Sequence, residues 1–126
     1  MKVLLLGSGA REHTIAWRLL HSPRLTKLWV ADGNAGTAAI ATNLPIKPDD
    51  IDGIIAAARS FEIDMVVVGP ELPLSLGIVD QLASLGIAAF GPSKAAARIE
   101  TSKSFALEVM KEAKVACPNF WVFQDE

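Results

Sequence analysis

Apolar and polar positions divide this chain into two alternating kinds of segment. Uninterrupted apolar runs stand at Val3-Leu4-Leu5-Leu6, Leu28-Trp29-Val30-Ala31, Met65-Val66-Val67-Val68 and Ile87-Ala88-Ala89-Phe90. Short runs without alternation predict strands covered on both faces. Between them, apolar residues recur at helical spacing. Ile15, Ala16, Leu19 and Leu20 share one face of a helix over 11–21. Ile51, Ile54, Ile55 and Ala58 follow a capping Asp49 or Asp50. Leu74, Ile78, Leu82 and Leu85 align on a helix from about Pro73, stopped by Gly86. A further short strand is expected within 39–46, limited by Pro45 and Pro48. Ser93 caps a short helix, and a second from about Ser102 carries Phe105, Ala106, Val109 and Met110 on one face. Beyond Pro118, Phe120-Trp121-Val122-Phe123 reads as the start of another strand. Strands alternating with helices predict an α/β fold: an open, mostly parallel sheet, flanked by helices and joined by right-handed crossovers.

Composition narrows the class. A chain of 126 residues with 51% apolar residues is sufficient for one hydrophobic core. A formal net charge of −2 gives no electrostatic case for nucleic acid or an anionic membrane. Cys117 is the single cysteine, so no disulfide forms within the chain, and a reducing cytoplasm is expected. The first apolar run ends at Gly7, too short for a membrane span or a signal segment. No His, Cys or Asp cluster has zinc-site spacing. The apolar run near Phe123 either packs back on the domain or belongs to the front part of a longer protein, and the second is expected.

Chemistry is sought where the strands end, because open parallel sheets bind ligands beyond their carboxyl edges. Three motifs fall there: Gly7–Glu12, Asp32–Thr37 and Gly69–Glu71. Gly7-Ser8-Gly9 follows a buried strand and opens a helix, a place where backbone N–H groups meet an anion. It is close to the dinucleotide fingerprint, and Asp32 stands about where an acid would hold an adenosine ribose. Glu12 replaces the third glycine, however, which weakens a nicotinamide or flavin reading. Asn34-Ala35-Gly36-Thr37 suits a phosphate or a sugar, though it also suits a plain turn. Glu71 fits a carboxylate accepting from sugar hydroxyls, or a first-turn acid stabilised by the helix dipole by about 0.3–1 kcal/mol. Arg11 and His13 face a phosphate or are ordinary first-turn polar residues; for His13 the ordinary reading is preferred. Lys94, Arg98 and Lys103 read as a solvated basic face, and Cys117 as structural.

Four segments together resemble a known family. They are Gly7-Ser8-Gly9-Ala10-Arg11-Glu12-His13, Gly33-Asn34-Ala35-Gly36-Thr37, Val67-Val68-Gly69-Pro70-Glu71 with Pro73-Leu74, and Phe90-Gly91-Pro92-Ser93-Lys94-Ala95-Ala96. In order and spacing they resemble the front of the phosphoribosylamine–glycine ligases of purine biosynthesis, over essentially the whole chain. The resemblance implies a Rossmann-like pre-ATP-grasp domain over 1–100, with 101–126 a linker helix and the start of a truncated ATP-grasp region. It implies an enzyme that joins 5-phosphoribosylamine to glycine, with ATP cleaved through a glycyl phosphate. The implied substrate contacts are Gly9, Ala10, Arg11, Asn34, Ala35, Gly36, Thr37, Gly69, Pro70 and Glu71. Lys103 matches a lysine that reaches the nucleotide phosphates in related enzymes. Magnesium or manganese would be held by a later ATP-grasp domain, so no metal ligand, catalytic residue or tightly bound cofactor is expected within these residues. The piece is not expected to catalyse alone. Ala10, Asp32 and Thr101 depart from the family's more usual glycine, proline and glycine. Two alternatives stay open: the N-terminal domain of a carboxylase or formyl-transfer ATP-grasp enzyme, and a non-catalytic dinucleotide-binding module. Gly-Asn-Ala-Gly-Thr is not expected in the former.

Overall fold

The structure, a computed structural model, describes residues 1–123. In chain order the elements are β1 (Lys2–Gly7), α1 (Ala10–Leu20), β2 (Lys27–Asp32), α2 (Ala35–Ala38), β3 (Thr42–Leu44), α3 (Ile51–Ser60), β4 (Met65–Val68), α4 (Glu71–Ser75), α5 (Ile78–Ser84), β5 (Ala88–Phe90), α6 (Lys94–Thr101) and α7 (Lys103–Glu112). The five strands form one sheet in the order β3-β2-β1-β4-β5, with every pair parallel. The α/β architecture expected from the alternating pattern is therefore present.

The apolar runs of β1, β2 and β4 are continuous because these strands are covered twice, whereas the run expected at 87–90 forms the edge strand β5, with Ala88 and Phe90 exposed. Leu4 and Leu6 of β1 pack with Ile54, Leu74, Ile78 and Leu82 on one side of the sheet. Val3 and Leu5 point the other way, to Ala16, Ile15 and Leu19 of α1. Leu4, Leu5 and Leu6 are fully buried, and burying each such side chain contributes about 1.5–3 kcal/mol. After β1 the chain builds outward through β2 and β3, then returns to place β4 and β5 on the opposite side of β1. In open parallel sheets such a reversal marks the ligand crevice, here beyond the adjacent ends of β1 and β4.

Local signals act largely as expected. The Asp50 side chain accepts from the Gly53 N–H at 2.9 Å and caps α3, while Ser93 and Ser102 cap α6 and α7. Two expectations need correction. The leucine-spaced helix from Pro73 is two helices, α4 and α5, broken where Gly77 adopts a left-handed φ of 87°. Leu74, Ile78 and Leu82 still reach the core, but Leu85 is exposed. The run Phe120–Phe123 forms no strand. Phe120 is half-buried, whereas Trp121 and Phe123 stay 75% and 85% exposed and do not pack back on the domain. The strand sought within 39–46 is Thr42–Leu44, preceded by the single-turn helix α2. Among the described residues, no helix is long and apolar enough to cross a membrane.

Candidate functional site

The crevice is assembled from three loops, each following the end of a strand. The first leaves β1 at Gly7, whose φ of 114° is open to glycine but strained for other residues. Gly9 then occupies the N-cap of α1 in an extended conformation. Ala10 and Arg11 begin the helix, and their N–H groups find no acceptor among the described residues, as at any uncapped helix start.

Glu12, the mismatch in the glycine pattern, is buried, with a side chain only 6% exposed. It folds back so that Oε2 accepts from the Gly9 N–H at 2.8 Å. The carboxyl fills a socket that exists because three positions lack a side chain. A Cβ on Gly7 would stand 2.8 Å from Glu12 Cγ, one on Gly9 2.8 Å from Oε2, and one on Gly69 2.6 Å from Cγ. The other oxygen, Oε1, is buried without a hydrogen-bond partner. Arg11 Nε lies 3.5 Å from it, a charge contact rather than a hydrogen bond. Arg11 Nη1 meanwhile donates to the Gly69 carbonyl at 2.9 Å, crossing from the start of α1 to the end of β4.

The second loop leaves β2 through two left-handed residues, Asp32 (φ 70°) and Gly33 (φ 65°). The Gly33 N–H donates to the Gly7 carbonyl at 3.3 Å, which ties it to the first loop. Asn34 caps α2: Oδ1 accepts from the Thr37 N–H at 2.9 Å. In return, Thr37 Oγ1 accepts from the Asn34 N–H at 2.7 Å. Asn34 Nδ2 donates to the Ser8 carbonyl at 2.7 Å, a second tie between the loops. Thr37 is wholly buried. The Asn34 and Thr37 side chains are thus committed to internal bonds, and only the N–H groups of Ala35 and Gly36 are left without an acceptor among the described residues. His13 covers this loop: a Cβ on Gly36 would meet its ring at 2.7 Å. The residue is half-buried, its ring set against α2.

Sequence reasoning missed Asn43. From β3 its Nδ2 donates to the Asn34 carbonyl at 2.9 Å, and its Oδ1 lies 2.9 Å from Thr37 Oγ1. No local motif marks it; a polar residue inside a short, otherwise half-buried strand is the only signal.

The third loop closes the opposite wall. The Gly69 N–H donates to the Leu6 carbonyl at 3.3 Å, and Pro70 Cδ would stand 3.0 Å from a Cβ on Gly7. Glu71 is the first residue of α4, exposed, with no hydrogen bond or ion pair among the described residues. The structure therefore brings Gly9–Arg11, Asn34–Thr37 and Gly69–Glu71 to one sheet edge. Lys103 stands apart, exposed in the first turn of α7, which packs on α6. Arg98 of the basic series lies over the Phe105 ring at 3.9 Å. Among the described residues, no group of three or more His, Cys, Asp or Glu side chains is placed to hold a metal ion.

A phosphoribosylamine–glycine ligase from Mycobacterium leprae is 52% identical over 115 residues, which cover 91% of this chain and 27% of that protein. The crystal structure of the phosphoribosylamine–glycine ligase from Thermotoga maritima matches with a TM-score of 0.66 at 29% identity, over 90% of this chain and 25% of that one. N5-carboxyaminoimidazole ribonucleotide synthetase from Thermotoga maritima gives a TM-score of 0.71, covering 98% of this chain and 34% of that one; at 14% identity it shares the fold alone. The chain spans about a quarter of the length of the ligases it matches. Residues 1–100 match the family model described as phosphoribosylglycinamide synthetase, N domain. All three crevice loops lie within that match, and the chain belongs to that family.

Proposed function

We propose that this chain is the substrate-holding front of an ATP-dependent ligase that joins 5-phosphoribosylamine to glycine, and that the crevice holds the phosphoribosylamine. One observation carries the assignment: three loops braced on one another leave unspent groups at a single edge. These are the N–H groups of Ala10, Arg11, Ala35 and Gly36, and the free carboxylate of Glu71. N–H donors suit the oxygens of a phosphorylated sugar, and a carboxylate suits hydroxyl or amine donors. Gly9, Gly69 and Pro70 shape the walls, while Asn34 and Thr37 hold the second loop in place.

In this reading residues 1–100 are the substrate domain, and 101–126 lead into an ATP-grasp region. The capped restart of the helix at Ser102 supports that division. Lys103 reaches ATP phosphates only once a downstream domain is present, and the same domain supplies the ligands for magnesium or manganese. A reducing cytoplasm suits a chain whose single cysteine is free.

Glu71→Ala in the whole ligase tests the assignment. The expected result is a KM for phosphoribosylamine raised about tenfold, with the KM for ATP within about twofold. An unchanged phosphoribosylamine KM removes Glu71 from the site. Titrating the 126-residue chain separates the dinucleotide alternative: NAD alone shifting the amides of Gly7–Arg11 and Glu71 would overturn the proposal.

A further inference from the structure

Glu12 is the only buried ionisable side chain among the described residues, and the substrate assignment does not use it. An unpaired buried carboxylate oxygen is costly. Here one oxygen is held by Gly9, while the other has only the nearby Arg11 charge and the positive end of α1. A carboxyl needed only to cap the helix could have stayed in solvent, as first-turn acids usually do. This one is instead inserted among Gly7, Gly9 and Gly69, which belong to both sides of the crevice. Arg11 repeats the same crossing above it, reaching the Gly69 carbonyl while its side chain stays 63% exposed. The buried acid and the exposed guanidinium thus form a two-part strap across the switch point. Nη1 is anchored, and Nη2 has no acceptor among the described residues.

We propose that Glu12 is a positioning residue: from beneath the first loop it aims the Arg11 guanidinium across the crevice, where Nη2 meets an acceptor oxygen of the phosphorylated sugar. This rests on the substrate assignment above. The neutral substitution Glu12→Gln keeps the volume and still offers a carbonyl to Gly9, but it sets an NH2 group against the Arg11 donors. The strap then loses its charge while the socket stays filled.

The test is a double-mutant cycle in the whole ligase, read on both substrates. Glu12→Gln and Arg11→Gln are each expected to raise the KM for phosphoribosylamine about tenfold, with kcat and the KM for ATP within about twofold. The double variant is expected to be no worse than Arg11→Gln alone, since Glu12 acts through Arg11. Multiplicative effects overturn the proposal, as does a normal KM in Arg11→Gln. Should Glu12→Gln fail to fold, the unaltered 126-residue chain supplies the second measurement. Its Arg11 Nε–H resonance, assigned by loss in Arg11→Lys, is expected away from the position of the solvent-exposed arginines; coincidence with them overturns the strap. Glu71→Ala keeps the two ideas separable. If it raises the phosphoribosylamine KM while the Glu12 and Arg11 variants do not, the assignment stands and the strap falls. If none of the three does, the assignment itself falls.

Discussion

Gly69→Ala isolates the socket beneath the crevice. A methyl there would stand 2.6 Å from Glu12 Cγ and 2.8 Å from Cδ, and nearer still to Oε1. Carbon contacts prefer about 3.5–4.0 Å. Its three nearest atoms all belong to Glu12, so relief comes from moving that side chain, which breaks the 2.8 Å bond to Gly9. Overpacking costs about 1–3 kcal/mol, and a hydrogen bond to a charged group about 1.5–3 kcal/mol. We expect Gly69→Ala to destabilise the chain by about 3 kcal/mol, toward the lower end of the summed ranges. In a Glu12→Ala background the space is already vacated, and the same methyl should cost no more than about 0.5 kcal/mol. The expected coupling is therefore about 2.5 kcal/mol, the difference of those two values. Urea unfolding of the four proteins, followed by far-ultraviolet circular dichroism with a shared slope, measures it. Additivity within about 0.5 kcal/mol would refute the account of why position 69 is glycine.

Three further outcomes follow, two from the second loop and one from the surface. Asn34→Ala should lower stability by about 1–2 kcal/mol through the lost cap, and should shift the amide resonances near Ser8, because Asn34 bonds that carbonyl. Thr37→Val should cost about 1–3 kcal/mol by stranding the half-buried Asn34 and Asn43 groups that bond Thr37; a smaller urea-midpoint shift for either variant would show that the loop is not braced as described. At the surface, the hydrogen bond from Lys2, aided by its charge, holds the Glu62 carboxyl below its ordinary value of 4.5 against opposition from Asp64. A depressed carboxylate contributes above its unfolded value and loses that contribution as pH falls through its folded value. Carboxyl NMR titration should therefore show Glu62 low at low salt and rising toward ordinary behaviour in Lys2→Met or in high salt.

The sheet was legible in the chain because a doubly covered parallel strand needs nothing but consecutive apolar residues, as in Val3–Leu6. Helix continuity was less so. Leu74, Ile78 and Leu82 keep their spacing across the break at Gly77, since a single left-handed residue redirects the backbone without removing them from the core. Phe120–Phe123 carries strand-forming residues, but a strand is made by pairing, and residues 120–123 have no partner strand. At the site, each loop announced itself through glycine and cap chemistry close in sequence. What escaped were relations between loops. Asn43 braces Asn34 from the next strand, and Glu12 is accommodated by Gly69 from the far side of the crevice.

That last relation gives a physical reason to read a fingerprint with one mismatch as a different kind of site. In dinucleotide-binding turns the third glycine lets helix and strand approach closely. Here the side chain is present on the helix, and room for it comes from the fingerprint's own first two glycines, 7 and 9, together with Gly69 at the end of β4. The exchange has a chemical consequence as well as a steric one. Gly9, whose N–H would otherwise be free for an incoming anion, already donates to Glu12. At this turn the N–H groups of Ala10 and Arg11 are left open among the described residues. A pyrophosphate seated on the turn would lose the Gly9 donor, whereas the N–H groups of Ala10, Ala35 and Gly36 are left untouched by Glu12.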